Sequence, residues 1–129
     1  MNPHYFNTIF LFDEFPKNLP SSFAIITAYN PMDKKVSARE NQYSDIKLCK
    51  QIGNIDLVHT IWGSSPNRTH QEKSYLTKLS KEDAINIGND YQQKAIYYVE
   101  RGNLQLIDCK SREEYDLDKF CKRLHLIRP

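Results

Sequence analysis

The stretch Phe23–Pro31, FAIITAYNP, decides how the chain is read. With Ser22 its first part makes SFAIITAY, rich in branched apolar residues, which predicts a β-strand over Ser22–Tyr29. The apolar run is nearly continuous rather than alternating, as in a strand covered on both faces. It then stops on Thr-Ala-Tyr-Asn-Pro, a cluster of hydrogen-bonding groups pinned by a proline. A core strand that ends this way predicts a site at its end. Asn30, as the residue before Pro31, is expected to be extended.

Working outward, SARENQYSDIKLCKQIG follows. Ser37 and Glu40 have the spacing of a capping box. Ile46, Cys49 and Ile52 recur at helical spacing, and Gly53 stands where a helix C-terminal glycine belongs. The prediction is a helix over Ala38–Ile52. Ile55–Trp62 (IDLVHTIW) reads as a second core strand and Ser74–Leu79 (SYLTKL) as a third, with a polar connection, GSSPNRTHQEK, between them. Ser80 caps a helix over Lys81–Tyr91 that buries Ala84, Ile87 and Tyr91. Lys94–Glu100 reads as a strand that turns at RGN, with Gly102 supplying positive φ, and pairs back with LQLIDC.

Extra strands are expected at both ends. TIFLF (Thr8–Phe12) is one, preceded by a turn or short helix, and DEFPKNLPSS is a loop. From Ser111 a last helix is expected, with Leu117, Phe120, Cys121 and Leu124 as its apolar stripe and acids ahead of bases. The basic end, KRLHLIRP (122–129), reads as the solvated end of that helix. The central order β-α-β-β-α-β predicts an α+β fold: a ferredoxin-like sandwich with extra strands at both ends and a C-terminal helix. Neither a repeat nor a domain boundary interrupts it, so residues 1–129 are read as one domain.

Four ordered segments, IITAYNP, SARENQ, HQEKSY and GNDYQQKAIYYVERGNLQLIDC, resemble a small bacterial family catalogued only as a domain of unknown function. That family's pattern runs I-T-A-x-N-P, S-x-x-x-N at a helix start, E-x-S before a strand, and G-x-x-[FY]-x-Q-x-A. The resemblance covers about 22–109. It places the family's polar residues on Thr27, Asn30, Asn41, Glu72, Ser74 and Gln93, and implies no activity. One position departs: before the last glutamine, where the family often has a small residue, stands Gln92.

Read as chemistry, these residues occupy strand ends and a helix start, where backbone N–H groups are unpaired. Amides carry both a donor and an acceptor, so Asn30 and Asn41 suit nucleobases, amides or peptide backbone, or bond each other. Glu72 is the candidate general base, with His70 two residues away as a titratable partner. Trp62 reads as a core aromatic.

Composition narrows the classes. With 129 residues the chain is long enough to bury a core, and 40% hydrophobic content excludes a disordered chain. A net charge of +2 argues for neither nucleic acid nor an anionic membrane. Phe6–Phe12 is too short to span a bilayer. Three cysteines, Cys49, Cys109 and Cys121, lack any C-x-x-C and read as reduced thiols in a cytoplasm. Cys121 and His125 have the i, i+4 spacing of metal ligands, but with Cys109 they make only three, so neither metal nor cofactor is expected. Walker A, G-x-G-x-x-G and G-x-S-x-G patterns do not occur.

The expected function is a non-enzymatic binding module holding a small polar or nucleotide-like ligand, or a partner peptide. The alternatives are a small hydrolase or transferase using Glu72 as base, and a protein-interaction adaptor. Amides and hydroxyls outnumber nucleophiles and matched acid–base pairs in the set, which favours binding.

Overall fold

The computed structural model describes residues 1–128. The fold is mixed α+β, with two helices on one eight-stranded curled sheet. The strands are β1 (Ile9–Phe12), β2 (Ser22–Thr27), β3 (Leu57–Ser64), β4 (Gln71–Thr77), β5 (Ala95–Glu100), β6 (Asn103–Asp108), β7 (Glu114–Lys119) and β8 (Leu124–Leu126). Their order across the sheet is β7-β6-β5-β2-β4-β3-β1-β8. Neighbours are antiparallel except β1 and β8, which run parallel.

β2 is the strand that FAIITAYNP predicted, and it is covered on both faces. Ala24 and Ile26 point to one side, where the helices pack. Helix α1 (Ala38–Asp56) contributes Leu48 and Ile52, and helix α2 (Lys81–Asp90) contributes Ala84, Ile85 and Ile87. Phe23 and Ile25 point to the other side, among Phe10, Phe12, Leu104, Leu106 and Phe120. Both helices begin as expected: Ser37 accepts from the N–H of Glu40 at 3.1 Å, and Ser80 from that of Asp83 at 3.1 Å. Gly53 breaks α1 with φ 75°, a conformation glycine adopts without a Cβ clash.

Strand limits shift by a few residues. β4 begins at Gln71, so Glu72 and Ser74, expected ahead of or at the start of that strand, both lie inside it. The hairpin between β5 and β6 forms as expected, with Arg101 at φ 50° and Gly102 at φ 81°.

The C-terminal helix is a correction. The segment forms β7, a short 3-10 turn (Phe120–Arg123) and β8. EYDLDK is periodic at two as well as at three to four, since Tyr115 and Leu117 turn inward between exposed acids. The open edge of β6 supplies ladder partners that a helix would leave unpaired. Asp108 Oδ1 accepts from the N–H groups of Lys110 (2.9 Å) and Ser111 (3.0 Å), and Arg112 at φ 66° completes the reversal. The basic end is therefore no helix terminus: Arg123 donates to the carbonyls of Phe6 (2.9 Å) and Thr8 (3.0 Å), while Pro129 lies outside the described residues. Cys121 and His125 share no helix face.

The last segment also carries Phe120 into the second face, where it is 3% exposed. Its ring meets Phe10 at 5.5 Å and Phe23 at 5.3 Å, joining β1 from one part of the sheet to β2 in its middle. Phe6 and Tyr115 meet edge-on at 5.3 Å, so the two ends of the sheet curl toward each other over this face. Trp62 belongs to neither apolar cluster and is half-buried, against the expectation of a core aromatic. No helix among the described residues is long and apolar enough to cross a membrane.

Replacing Phe120 with alanine empties this junction and is expected to cost about 3–5 kcal/mol. Urea melts monitored by circular dichroism check this, with Cys121→Ala, at an exposed neighbour, as a near-neutral control.

Candidate functional site

The end of β2 lies beside the end of β3 and the beginnings of β4 and β5, because Thr27 pairs with Ser74 and Ser64 with Gln71. Three loops converge there: 28–37 after β2, 65–70 between β3 and β4, and 91–94 before β5. The N-terminal segment, a 3-10 turn over Pro3–Asn7, lies across the same end, where Tyr97 of β5 donates to the carbonyl of Tyr5 at 2.7 Å. Together they enclose a cavity of about 510 Å³.

Five of the six expected residues line it: Thr27, Asn30, Glu72, Ser74 and Gln93. Asn41 does not. It is buried in the first turns of α1 and is tied to Asn30 in both directions. The Asn30 N–H donates to Asn41 Oδ1 at 2.9 Å, and Asn41 Nδ2 donates to Asn30 Oδ1 at 3.1 Å. Asn30 Oδ1 also accepts from the N–H of Val36 at 3.3 Å, closing the loop between strand and helix.

This clasp leaves the Asn30 amide nitrogen facing the cavity, where it donates to Glu72 Oε2 at 2.9 Å. His70 Nε2 lies 3.0 Å from the same oxygen. The remaining polar groups hold backbone. Thr27 Oγ1 donates to the Lys73 carbonyl at 2.7 Å and accepts from the N–H of Tyr29 at 3.1 Å. Ser74 donates to the Glu72 carbonyl at 3.0 Å. Gln93 Nε2 donates to the carbonyls of Tyr29 (3.0 Å) and Tyr91 (3.4 Å). Phe10, Ile25, Ala95 and Tyr97 provide an apolar wall.

The loops reach this geometry through unusual backbone. Asn30 is not extended, as its place before proline suggested, but left-handed at φ 48°. Asparagine tolerates that region better than most residues, and the four bonds made by its side chain and N–H offset the cost. Met32 (φ 55°), Asp33 (φ 62°), Arg68 (φ 60°) and Gln92 (φ 55°) are left-handed in the same three loops. Strained backbone of this kind gathers where surrounding structure holds a site in place. Gln92 takes this conformation although a side chain at positive φ is disfavoured. Its carbonyl accepts from the N–H of Met32 at 2.7 Å, which locks one loop to the next.

Sequence reasoning missed the N-terminal side of the cavity. Tyr5 and Thr8 line it, and the Tyr5 hydroxyl donates to Asp33 Oδ1. Burial, then the bond to Asp33, then the charges of Asp33 and Glu72 push the Tyr5 phenol above its ordinary value. Burial does the same to Tyr97, opposed by its bond to Thr8 and by Arg123. Only the aromatic content of HYFNTIF could have signalled this. Among the described residues, no group of three or more His, Cys, Asp or Glu side chains has the arrangement of a metal site. The three cysteines are unpaired, with Cys109 buried and Cys121 exposed.

A family model described as "Protein of unknown function (DUF3293)" matches residues 26–96, more than half of the chain. The match runs from within β2 to the start of β5, and so includes the clasp and all six expected residues. No curated protein and no solved structure matches the chain.

Asn30→Ala removes the clasp at a left-handed position, and a loss of about 1–3 kcal/mol is expected, read from thermal melts. Asn30→Asp keeps the acceptor and the preference for positive φ but sets a second carboxylate against Glu72 Oε2, and is expected to lose as much or more. The raised phenols give a pH dependence of definite sign. Tyr97 holds its proton more tightly folded than unfolded, so its contribution is complete below the ordinary tyrosine value of 10.0 and declines as pH rises beyond it. Stability is expected to fall above that pH, and less steeply in Tyr97→Phe. Tyrosinate absorbance followed alongside circular dichroism checks both.

Proposed function

We propose that the chain, which belongs to the DUF3293 family of unknown function, is a non-enzymatic binding module that holds a small polar ligand in the cavity at the end of β2. The observation that carries this reading is the convergence of Thr27, Asn30, Glu72, Ser74 and Gln93 on one cavity with an apolar wall. Its volume of about 510 Å³ lies in the range of small-molecule sites. That volume suits a compact ligand of about nucleoside size. Left-handed residues in all three loops support a prepared site, because backbone of this kind persists only where the surrounding structure holds it.

The architecture belongs to the same proposal. The order β5-β2-β4-β3 in the middle of the sheet, with α1 and α2 on one face, supports reading the centre as a ferredoxin-like βαββαβ core. A cytoplasmic setting is the accompanying expectation, and the exposed unpaired Cys121 is consistent with reducing surroundings.

A second reading is favoured by one contact. His70 Nε2 and Glu72 Oε2, 3.0 Å apart, form an imidazole–carboxylate pair of the kind that serves general-base catalysis in a hydrolase or transferase. The nearby hydroxyls argue against a nucleophile, since Thr27, Ser64 and Ser74 each donate to a backbone carbonyl.

Gly63 offers the test. It lines the cavity, and a Cβ there meets only ordinary contacts, the nearest being Ser74 Oγ at 3.6 Å. Gly63→Val carries two methyl groups beyond that Cβ into the space the residue lines, and a thermal melt beside the wild type checks that the variant is folded. A ligand-detected NMR screen of polar fragments and nucleosides is expected to give hits that vanish in Gly63→Val. Hits that persist with the floor filled would sink the binding reading. Turnover of p-nitrophenyl esters or phosphates that disappears in Glu72→Gln would favour the enzyme instead.

A further inference from the structure

Donors and acceptors around the cavity are unequally used. Thr27, Ser64, Ser74, Tyr97, Gln93 and Asn30 each already donate to a protein acceptor. Two interior acceptors are left over. Glu72 receives both of its bonds on Oε2, and Oε1 has no partner among the described residues. Gln93 spends its nitrogen on two carbonyls, which fixes the amide orientation and leaves Oε1 without a donor. Neither Oε1 is sealed in the protein, because the buried side-chain atoms without partners are those of Asp45 and Gln105. The lining donors without an acceptor among the described residues, on Asn2, His4, Asn7 and Lys35, all belong to exposed residues, so a ligand that reaches Glu72 and Gln93 meets acceptors and is expected to bring hydrogen-bond donors to them.

Charge points the same way. Asp33, the other carboxylate on the cavity, is balanced by Lys94 at 3.5 Å and receives the Tyr5 hydroxyl. Glu72 has no lysine or arginine within 4.0 Å among the described residues, and its ionic neighbour is the exposed His70. Lys35 lines the cavity from an exposed loop position, where an anionic ligand would be met. The interior pairs a carboxylate that has no lysine or arginine partner among the described residues with the ring of Tyr97 at its wall, a combination that suits a cation carried on an apolar body.

Building on the binding reading above, we propose that the cavity takes a small organic cation, an ammonium or amidinium group on a ring-sized apolar body, with Glu72 as its counter-ion and Gln93 Oε1 as a second acceptor. The charged group donates to Glu72 Oε1, and the body lies against Ile25, Ala95 and Tyr97. Asn30 is a positioning residue, holding Glu72 through Oε2 so that Oε1 stays free.

Three indoles that differ in charge test this on the full chain: tryptamine (cation), tryptophol (neutral) and indole-3-propionate (anion). Affinities are read by NMR titration of wild type, Glu72→Gln and Gly63→Val. Tryptamine is expected to bind about tenfold more tightly than either of the others, an advantage set by one charge-assisted bond. Glu72→Gln is expected to erase that advantage, and Gly63→Val to remove binding altogether. If tryptophol or indole-3-propionate binds as tightly as tryptamine and is lost in Gly63→Val, the cation assignment is overturned and the binding reading survives. If no indole binds, or Gly63→Val changes nothing, the cavity reading falls and takes this assignment with it. Should Glu72→Gln prove unstable in a thermal melt, the ranking of the three indoles on the wild type decides alone.

Discussion

Burial of β2 on both faces is the constraint from which the rest of the arrangement follows. Ala24 and Ile26 on one side and Phe23 and Ile25 on the other leave the strand no solvated face. Its neighbours must cover both sides, so the helices take one and the curled ends of the sheet take the other. Polar chemistry can enter only where the strand stops. That is why Thr27 and Asn30 are the first polar groups along it to reach the cavity, and why three loops and the N-terminal turn meet there.

At that end the polar residues divide into two sorts. Asn30 and Asn41 satisfy each other and fasten the strand end to the first turns of α1. Thr27, Ser74 and the nitrogen of Gln93 hold backbone carbonyls in neighbouring strands and loops. These groups stabilise because each would otherwise be a buried polar atom without a partner. Glu72 belongs to the second sort. It is held by Asn30 through one oxygen, it keeps the other free, and it is partly exposed to the cavity. The clasp and the site are thus one network: rigidity bought on the helix side orients a carboxylate on the other face of the sheet.

Part of this was legible beforehand. The chain order β-α-β-β-α-β set Thr27 and Asn30 at a strand end and Asn41 at a helix start, and the capping serines Ser37 and Ser80 are local devices that need no tertiary context. The backbone at Asn30 was not legible. A residue before proline prefers extended geometry, and only the bonds from Val36, Asn41 and the Asn30 N–H tip it to φ 48°. The roof formed by Tyr5 and Thr8 was equally hidden, since nothing local says which face of the sheet an N-terminal segment will cross.

What the residues determined alone is what depends on short-range physics: a doubly covered strand at Ser22, two capped amphipathic helices, a tight turn at Arg101–Gly102, and a polar cluster after an apolar run. The C-terminal third shows where that ends. EYDLDK fits a helical stripe and a two-residue alternation alike, and intrinsic preference cannot choose between them. The exposed edge of β6 chose, by offering hydrogen-bond partners, and the curl of the sheet then placed Phe120 between Phe10 and Phe23. The cavity has the same origin. Its walls come from segments as distant in the chain as Tyr5 and Tyr97, and only the curl of the sheet brings them together around Glu72.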